Sequence, residues 1–340
     1  MSDHAADSGL DSGRIAGSIA RLPGWPFGPI EIERTIRIGA EHGLSGAVYR
    51  VAAITATLKP VTFIVKEDVA SGIERALAFH SDAGERLVGW IPTCYGGEVD
   101  VASGTGTLYL EDVAPAWQGD VLEDPGDDAA QAAIRTIAHV HAASWRPRAA
   151  DHESTLPRWQ AEAWDDERWR DRLIRARVRF ADVLTGSLER RLLDLPREVA
   201  AALPTLAAGP ASWIHGDAHL DNVLWRPNGR AVLLDWAGAT IGPPAVDVAR
   251  FLVEGPSGVS AHHLRRAALI EAYQQQLRRD GIPDAAVTGV PGFVELALLP
   301  LVQGIVGWAG RPDDHPLQPR AARLRENALR SVVARLNRDH

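Results

Sequence analysis

Cysteine is almost missing from this chain: Cys94 stands alone among 340 residues. A single thiol excludes an intramolecular disulfide and a zinc cluster built of cysteines, and it fits a reducing compartment. Lysine is nearly as scarce, with only Lys59 and Lys66 among 36 basic residues. A bias toward arginine explains the shortage, and it draws attention to the lysines that remain. Arg, Asp or Pro interrupts every apolar run before the ~18 uninterrupted residues of a membrane helix are reached. The start, MSDHAADSGLDSG, lacks the charged opening and apolar core of a signal peptide. A net charge of −8 with no long basic block excludes polyanions such as nucleic acid as natural partners. The expectation is a cytoplasmic protein with no nucleic-acid partner, no membrane and no obligatory protein partner.

What is present is an apolar content of 46%, enough for a buried core. From residue 30 to about 113 the texture is strand-like. The runs AVYRVAAI (47–54), VTFIVKE (61–67) and GTLYLEDV (106–113) are β-branched and aromatic, bounded by turn residues. A small antiparallel sheet is expected there, interrupted by one helix over 71–87 that carries Ile73, Leu77 and Phe79/His80. Beyond residue 113, Ala-, Leu- and Arg-rich segments dominate. The face Ile134, Ile137, Ala138, His141, Ala142, Trp145 predicts a helix capped by Asp127 or Asp128. Further helices are expected at about 158–181, 187–203, 244–253, 260–279, 292–308 and 316–337. Two short strands, 222–227 and 231–236, flank the turn signal Asn228-Gly229.

The octapeptide HGDAHLDN, His215 to Asn222, sits just before that hairpin and admits several chemistries. In an extended strand His215, Asp217 and His219 share one face and could converge on a metal, as in a metal-dependent hydrolase. Asp and Asn also cap ordinary turns. Phosphoryl transfer offers a third account: it needs a carboxylate to orient a hydroxyl, with oxygen ligands for Mg²⁺ nearby. Asp217 is followed by Asn222 at the spacing of the kinase pattern H-R-D-x-x-x-x-N, and Asp235 follows the apolar run VLL at the far end of the hairpin.

HGDAHLDN followed by VLLDWAGATIGPPAVDVA resembles the aminoglycoside phosphotransferase and choline kinase-like family, in residue types, order and spacing over 213–250. The resemblance implies an α+β, two-lobed protein-kinase-like fold, with a small antiparallel-sheet N-lobe and a larger, mainly helical C-lobe. The expected boundaries are a flexible tail over 1–13, the N-lobe over 14–110, a hinge over 111–115 and the C-lobe over 116–340. It implies Asp217 as the catalytic group and Asn222 and Asp235 as Mg²⁺ ligands. GLSGAVYRV (43–51) resembles the phosphate-covering turn, with Gly43, Ser45 and Gly46 near phosphate oxygens. Lys66 matches the lysine that holds the α- and β-phosphates, with Glu74 as its partner by location and Glu85 a poorer one. Backbone groups of Glu111 and Val113 would meet the adenine edge. His215, His219 and His141 become supporting residues, and Asp247 a brace from the following helix.

The implied activity is transfer of the γ-phosphoryl group of ATP, or of GTP, to a hydroxyl of a small molecule: an aminoglycoside- or macrolide-like antibiotic, or another sugar or amino alcohol. A catalytically silent nucleotide-binding protein on the same fold is the alternative. GPPAVDVA enters a helix within ten residues of Asp235, which leaves no room for a peptide-binding activation segment. Trp159, Trp164, Trp169 and Trp308, with Asp165, Asp166, Glu167, Asp313 and Asp314, are candidate contacts for a cationic acceptor through charge and cation–π attraction.

Overall fold

In the computed structural model the described residues are 10–39, 46–162, 164–254, 262–312 and 319–336. They divide into two compact units, Met1–Ala116 with Leu234–Gly238, and Trp117–Leu233 with Ala239–His340.

The first unit opens with α1 (Ser12–Ile19), followed by β1 (Ile30–Ile38), β2 (Ala47–Thr55), β3 (Pro60–Val69), α2 (Ala70–Ala83), β4 (Cys94–Asp100) and β5 (Thr105–Glu111). The strands form one antiparallel sheet in the order β1-β2-β3-β5-β4. Alternation puts Tyr49, Val51 and Ala53 of β2 beside Phe63 and Val65 of β3, all buried, against Ile15 and Ile19 of α1. The helix α1 and residues 10–13 correct the expectation of a tail over 1–13. Leu10 is buried, and the Asp11 carboxylate accepts the Arg14 N–H as an N-cap, satisfying a backbone donor that a helix start otherwise leaves open. Residues 1–9 lie outside the described residues.

The expected helix over 71–87 is α2 followed by a 3₁₀ turn at Gly84–Leu87. One end of α2 stacks Phe79 on Trp236, with centroids 3.7 Å apart and planes 10° from parallel. Near the other end, Gly72 approaches Ala237 so closely that an added Cβ would lie 3.3 Å from the alanine methyl. This packing brings Leu234–Gly238 into the first unit, whereas the sequence assigned these residues to the C-lobe.

The second unit comprises β6 (Trp117–Gln118), α3 (Asp127–Ser144), α4 (Asp166–Arg179), α5 (Gly186–Leu193), α6 (Leu195–Ala208), β7 (Ser212–Ile214), β8 (Val223–Trp225), β9 (Ala231–Leu233), β10 (Thr240–Gly242), α7 (Ala245–Glu254), α8 (His262–Arg279), α9 (Asp284–Thr288), α10 (Val290–Ala309) and α11 (Pro319–Leu336). Three strands pair as β6-β8-β9 and two as β10-β7.

Several expected helices change in detail. Gly126, at φ 84°, precedes α3, so Asp127 and Asp128 occupy its first turn instead of capping it, where the helix dipole still favours a carboxylate. The helix expected from 158 starts only at Asp166, because Pro157 and Trp159 exchange backbone hydrogen bonds with Ile241. The helix expected over 187–203 is two, α5 and α6, with Pro196 in the first turn of the second, a position where its missing N–H costs nothing. By length and composition α10 could cross a membrane, contrary to the expectation that no such segment exists. It packs against α4, α6, α7 and α11, and it buries Gln303.

Two positions test this packing. Burial pushes His80, on α2, down to about 4. The unfolded chain binds that proton near pH 6.5, so stability should be complete above this value and fall as pH drops toward 4, by roughly 1–2 kcal/mol at pH 5. His80→Leu should flatten the dependence of melting temperature on pH, and an unchanged slope would remove His80 as its source. In the second unit, a Cβ on Gly119 would lie 2.3 Å from the Leu220 carbonyl and 2.8 Å from the Trp225 ring. Gly119→Ala should therefore cost about 1–3 kcal/mol in urea unfolding.

Candidate active site

The octapeptide leaves the buried strand β7 and turns at Gly216, whose φ is 77°. The turn is held from α7. The Asp247 carboxylate accepts the His215 N–H at 2.6 Å on one oxygen and the Gly216 N–H at 2.9 Å on the other. His141 Nε2 lies 3.1 Å from Asp247 Oδ2, and its Nδ1 lies 2.8 Å from the Tyr273 hydroxyl. One tautomer satisfies both contacts: Nε2–H donates to the carboxylate while Nδ1 accepts from the tyrosine. Burial opposes a charge on Asp247, but His141 and the loop amide hold its carboxyl below the usual range. Burial raises the Tyr273 hydroxyl well above its ordinary value, so it remains a donor.

Asp217 presents its carboxylate to several donors. Arg250 Nη2 lies 3.0 Å from Oδ1, and His219 Nε2 lies 3.2 Å from Oδ2. Asn222 gives its amide N–H to the Asp217 carbonyl at 2.9 Å, with Oδ2 at 3.4 Å. Burial works against ionisation, yet Arg250 and then His219 keep the carboxyl far below the usual range. For His219 burial acts downward, but Asp217 raises its pKa overall. His215 Nδ1 accepts the Asp217 N–H. The loop histidines thus face the loop itself, and among the described residues no three His, Cys, Asp or Glu side chains form a metal-holding group. The convergence of His215, Asp217 and His219 raised by the sequence is not found.

In the first unit Lys66 is buried, 7% exposed. Its ammonium lies 2.6 Å from Asp235 Oδ1 and 3.3 Å from Asp68 Oδ2. Glu74 and Glu85 are exposed, so the expected Glu74 partnership is corrected. Asp68, two residues along the same strand, reaches Lys66 where the helix glutamate does not. Asp235 takes φ 57°, a left-handed conformation that Asp tolerates better than most residues. Gly46, at φ 75°, could not carry a side chain, because a Cβ would lie 2.7 Å from the Glu67 carbonyl. Gly43 and Ser45 lie outside the described residues. Glu111 donates its N–H to the Thr93 carbonyl and its carboxylate accepts from the Thr93 N–H and hydroxyl, while Val113 is buried.

The aromatic residues expected at an acceptor site have partners of their own. Trp169 is buried, with its N–H on the Leu192 carbonyl. Arg168 lies 4.3 Å from the Trp164 ring centre and Arg325 4.8 Å from that of Trp308. Trp159 packs where Gly242 leaves room for it. Asp165 caps α4, with Asp166 and Glu167 in its first turn. Asp313 and Asp314 lie outside the described residues. Two residues the sequence reading passed over stand next to the loop instead. Arg250 touches Asp217, and Arg320 of α11 binds Asp120 at 2.9 and 3.0 Å and Asp221 at 2.6 Å. A signal for Arg250 existed in its spacing, one helical turn after Asp247.

A sheet-bearing unit holds the buried lysine and a helical unit holds the Asp-Asn loop, the residue types that phosphoryl transfer calls for. Residues 61–289 match the model of the phosphotransferase enzyme family, and the chain belongs to that family. Solved structures agree on the protein-kinase-like fold. A protein from Ralstonia eutropha, provisionally assigned as an aminoglycoside phosphotransferase, is 18% identical with a TM-score of 0.59, over 97% of this chain and 98% of that one. An amicoumacin kinase, in complex with AMP-PNP, Ca²⁺ and Ami, is 13% identical with a TM-score of 0.52, over 96% and 94%. A choline/ethanolamine kinase family protein from Mesorhizobium loti is 17% identical with a TM-score of 0.50, over 95% and 94%. Comparison with curated proteins finds no significant match.

The brace can be tested without a substrate. Asp247→Ala leaves two loop N–H groups and His141 without their acceptor in a buried site, and should cost about 3–5 kcal/mol in urea unfolding. Wild-type stability in that variant would show that the loop does not depend on the carboxylate.

Proposed function

We propose that the protein transfers the γ-phosphoryl group of ATP to a hydroxyl of a small molecule in one in-line step. The observation that carries this reading is the Asp217 carboxylate, aligned by Arg250, His219 and Asn222 in a member of a phosphotransferase family. The acceptor O–H donates to Asp217. Its oxygen attacks the γ-phosphorus, the bond from that phosphorus to the β,γ-bridging oxygen breaks, and ADP leaves with the electron pair. The acceptor proton passes to Asp217 and then to solvent. A carboxylate held so far into its ionised form is a weak base, so its contribution is chiefly orientation, with proton transfer late. No covalent enzyme intermediate is needed.

Lys66 would hold the α- and β-phosphates, exchanging its contact with Asp68 or Asp235 for phosphate oxygens. Gly43, Ser45 and Gly46 would lie against the phosphates, and backbone groups of Glu111 and Val113 would meet the purine edge, of ATP or of GTP. Glu74 has no part in this reading. Asn222 and Asp235 suit Mg²⁺: the Asn222 nitrogen is committed to Asp217, which leaves its oxygen as the ligand, and Lys66 is on Oδ1 of Asp235, leaving Oδ2. A hard cation bound mostly by phosphates and water needs only one or two such protein oxygens. When bound, Mg²⁺ neutralises charge that develops on the phosphate oxygens.

Only nine residues separate Asp235 from the first residue of α7, too few for a peptide platform, which favours a small acceptor. A role in the cytoplasm, where ATP is plentiful, fits the single cysteine. An arginine already lies over the Trp164 ring and another over the Trp308 ring, so these two tryptophans do not favour a cationic acceptor over a neutral sugar. Antibiotic resistance is one role open to such an activity.

ADP release should rise above the water background with at least one acceptor from a panel of aminoglycosides, macrolides, nucleosides and amino alcohols. Asp217→Asn should lower it by about 10²–10⁴-fold while the melting temperature stays near wild type. Full activity in that variant would refute the role given to Asp217.

A further inference from the structure

Helix α7 grips the loop with two side chains one turn apart. Asp247 accepts the N–H groups of His215 and Gly216. Arg250, three residues on, serves the opposite polarity: Nη1 donates to the Gly216 carbonyl at 3.0 Å, and Nη2 lies 3.0 Å from Asp217 Oδ1. Its Nε lies 3.1 Å from Glu254 Oε2, one further turn along the same helix. The guanidinium is therefore pinned at three corners, and it cannot swing without releasing Glu254 or the loop carbonyl.

A carboxylate offers about four lone-pair sites. Arg250 uses one on Oδ1, while His219 and Asn222 both approach Oδ2. That leaves one lone pair on Oδ1 for a further donor, beside the arginine. We propose that Arg250 is a positioning residue for phosphoryl transfer, fixing the Asp217 carboxylate so that its remaining lone pair meets the acceptor hydroxyl. The proposal rests on the reading that Asp217 orients the acceptor. A planar fork with several fixed donors can hold a carbonyl and two carboxylates at once, and the single ammonium of a lysine cannot match that geometry. Arg250 thus sets the direction of the carboxylate as well as its charge.

The test uses the full chain with MgATP. The acceptor is whichever of kanamycin, erythromycin, choline or homoserine gives most ADP above background, or water where none does. Arg250→Ala should lower kcat roughly 10²-fold, the scale expected of a misplaced catalytic group, with KM for ATP little changed. Arg250→Lys should fall between it and the parent. Low millimolar guanidinium should restore part of kcat in Arg250→Ala and none in Asp217→Asn, a recovery that a purely structural role would not produce. Unchanged kcat in Arg250→Ala beside an inactive Asp217→Asn overturns the proposal and leaves the phosphotransferase reading intact. Full activity in Asp217→Asn overturns both. A loss in Arg250→Ala that guanidinium does not restore, or that appears equally in KM for ATP, also overturns it. Should Arg250→Ala not fold, Arg250→Lys decides: reduced kcat with ATP KM retained supports the proposal, and parental kcat overturns it.

Discussion

The Asp247 carboxylate is the point on which the candidate site turns. Two successive backbone N–H groups, at His215 and Gly216, point into a buried region where no helix or sheet ladder accepts them. An unpaired buried donor costs about 1–3 kcal/mol, so an acceptor is required, and one ionised carboxylate with an oxygen for each donor meets the need. The charge it brings is in turn stabilised by His141, itself oriented by Tyr273. Elements from three parts of the chain, α3, α7 and α8, are thereby committed to one loop conformation. The geometry of the loop follows, because Asn222 can meet Asp217 as it does only once the turn at Gly216 is fixed.

A second ion pair performs a comparable task in the first unit. Lys66 is buried and must be compensated, and it finds Asp235 and Asp68. Asp235 reaches it because Trp236 stacks on Phe79 and Ala237 nests against Gly72. Aromatic packing on α2 therefore positions a carboxylate from a distant part of the chain, with no need for a glutamate on that helix. Both acids compensate the Lys66 ammonium within the first unit, and in the proposed function phosphate oxygens would take the place of one of them.

Much of the fold was legible in the residues. The strands β2, β3 and β5 follow the β-branched and aromatic runs that marked them, and α7, α8, α10 and α11 fall close to the segments expected for them, whereas the short α9 had no expected counterpart. The misses have local physical causes. The helix expected from 158 loses its first residues because Pro157 and Trp159 spend backbone groups on β10. The acids and tryptophans of 159–169 look like ligand contacts in one dimension, yet they cap α4, pack into gaps left by glycine or lie beneath arginine. Composition reports that such residues are present, and it carries no information on whether a neighbour has already claimed them.

The sequence alone determined which residues are the candidates, because Asp217, Asn222 and Asp235 lie within one short segment whose spacing and turn residues restrict what the backbone can do. It likewise singled out Lys66, through position on a strand and rarity. Tertiary structure decided which groups those residues meet: Asp68 and Asp235 in place of Glu74, and Arg250 on the carboxylate of Asp217. Such pairings depend on how separate elements pack, and on the requirement that every buried charge find an opposite charge or donor within reach. That requirement is met by whichever side chain arrives first in space, and distance along the chain does not say which one that will be.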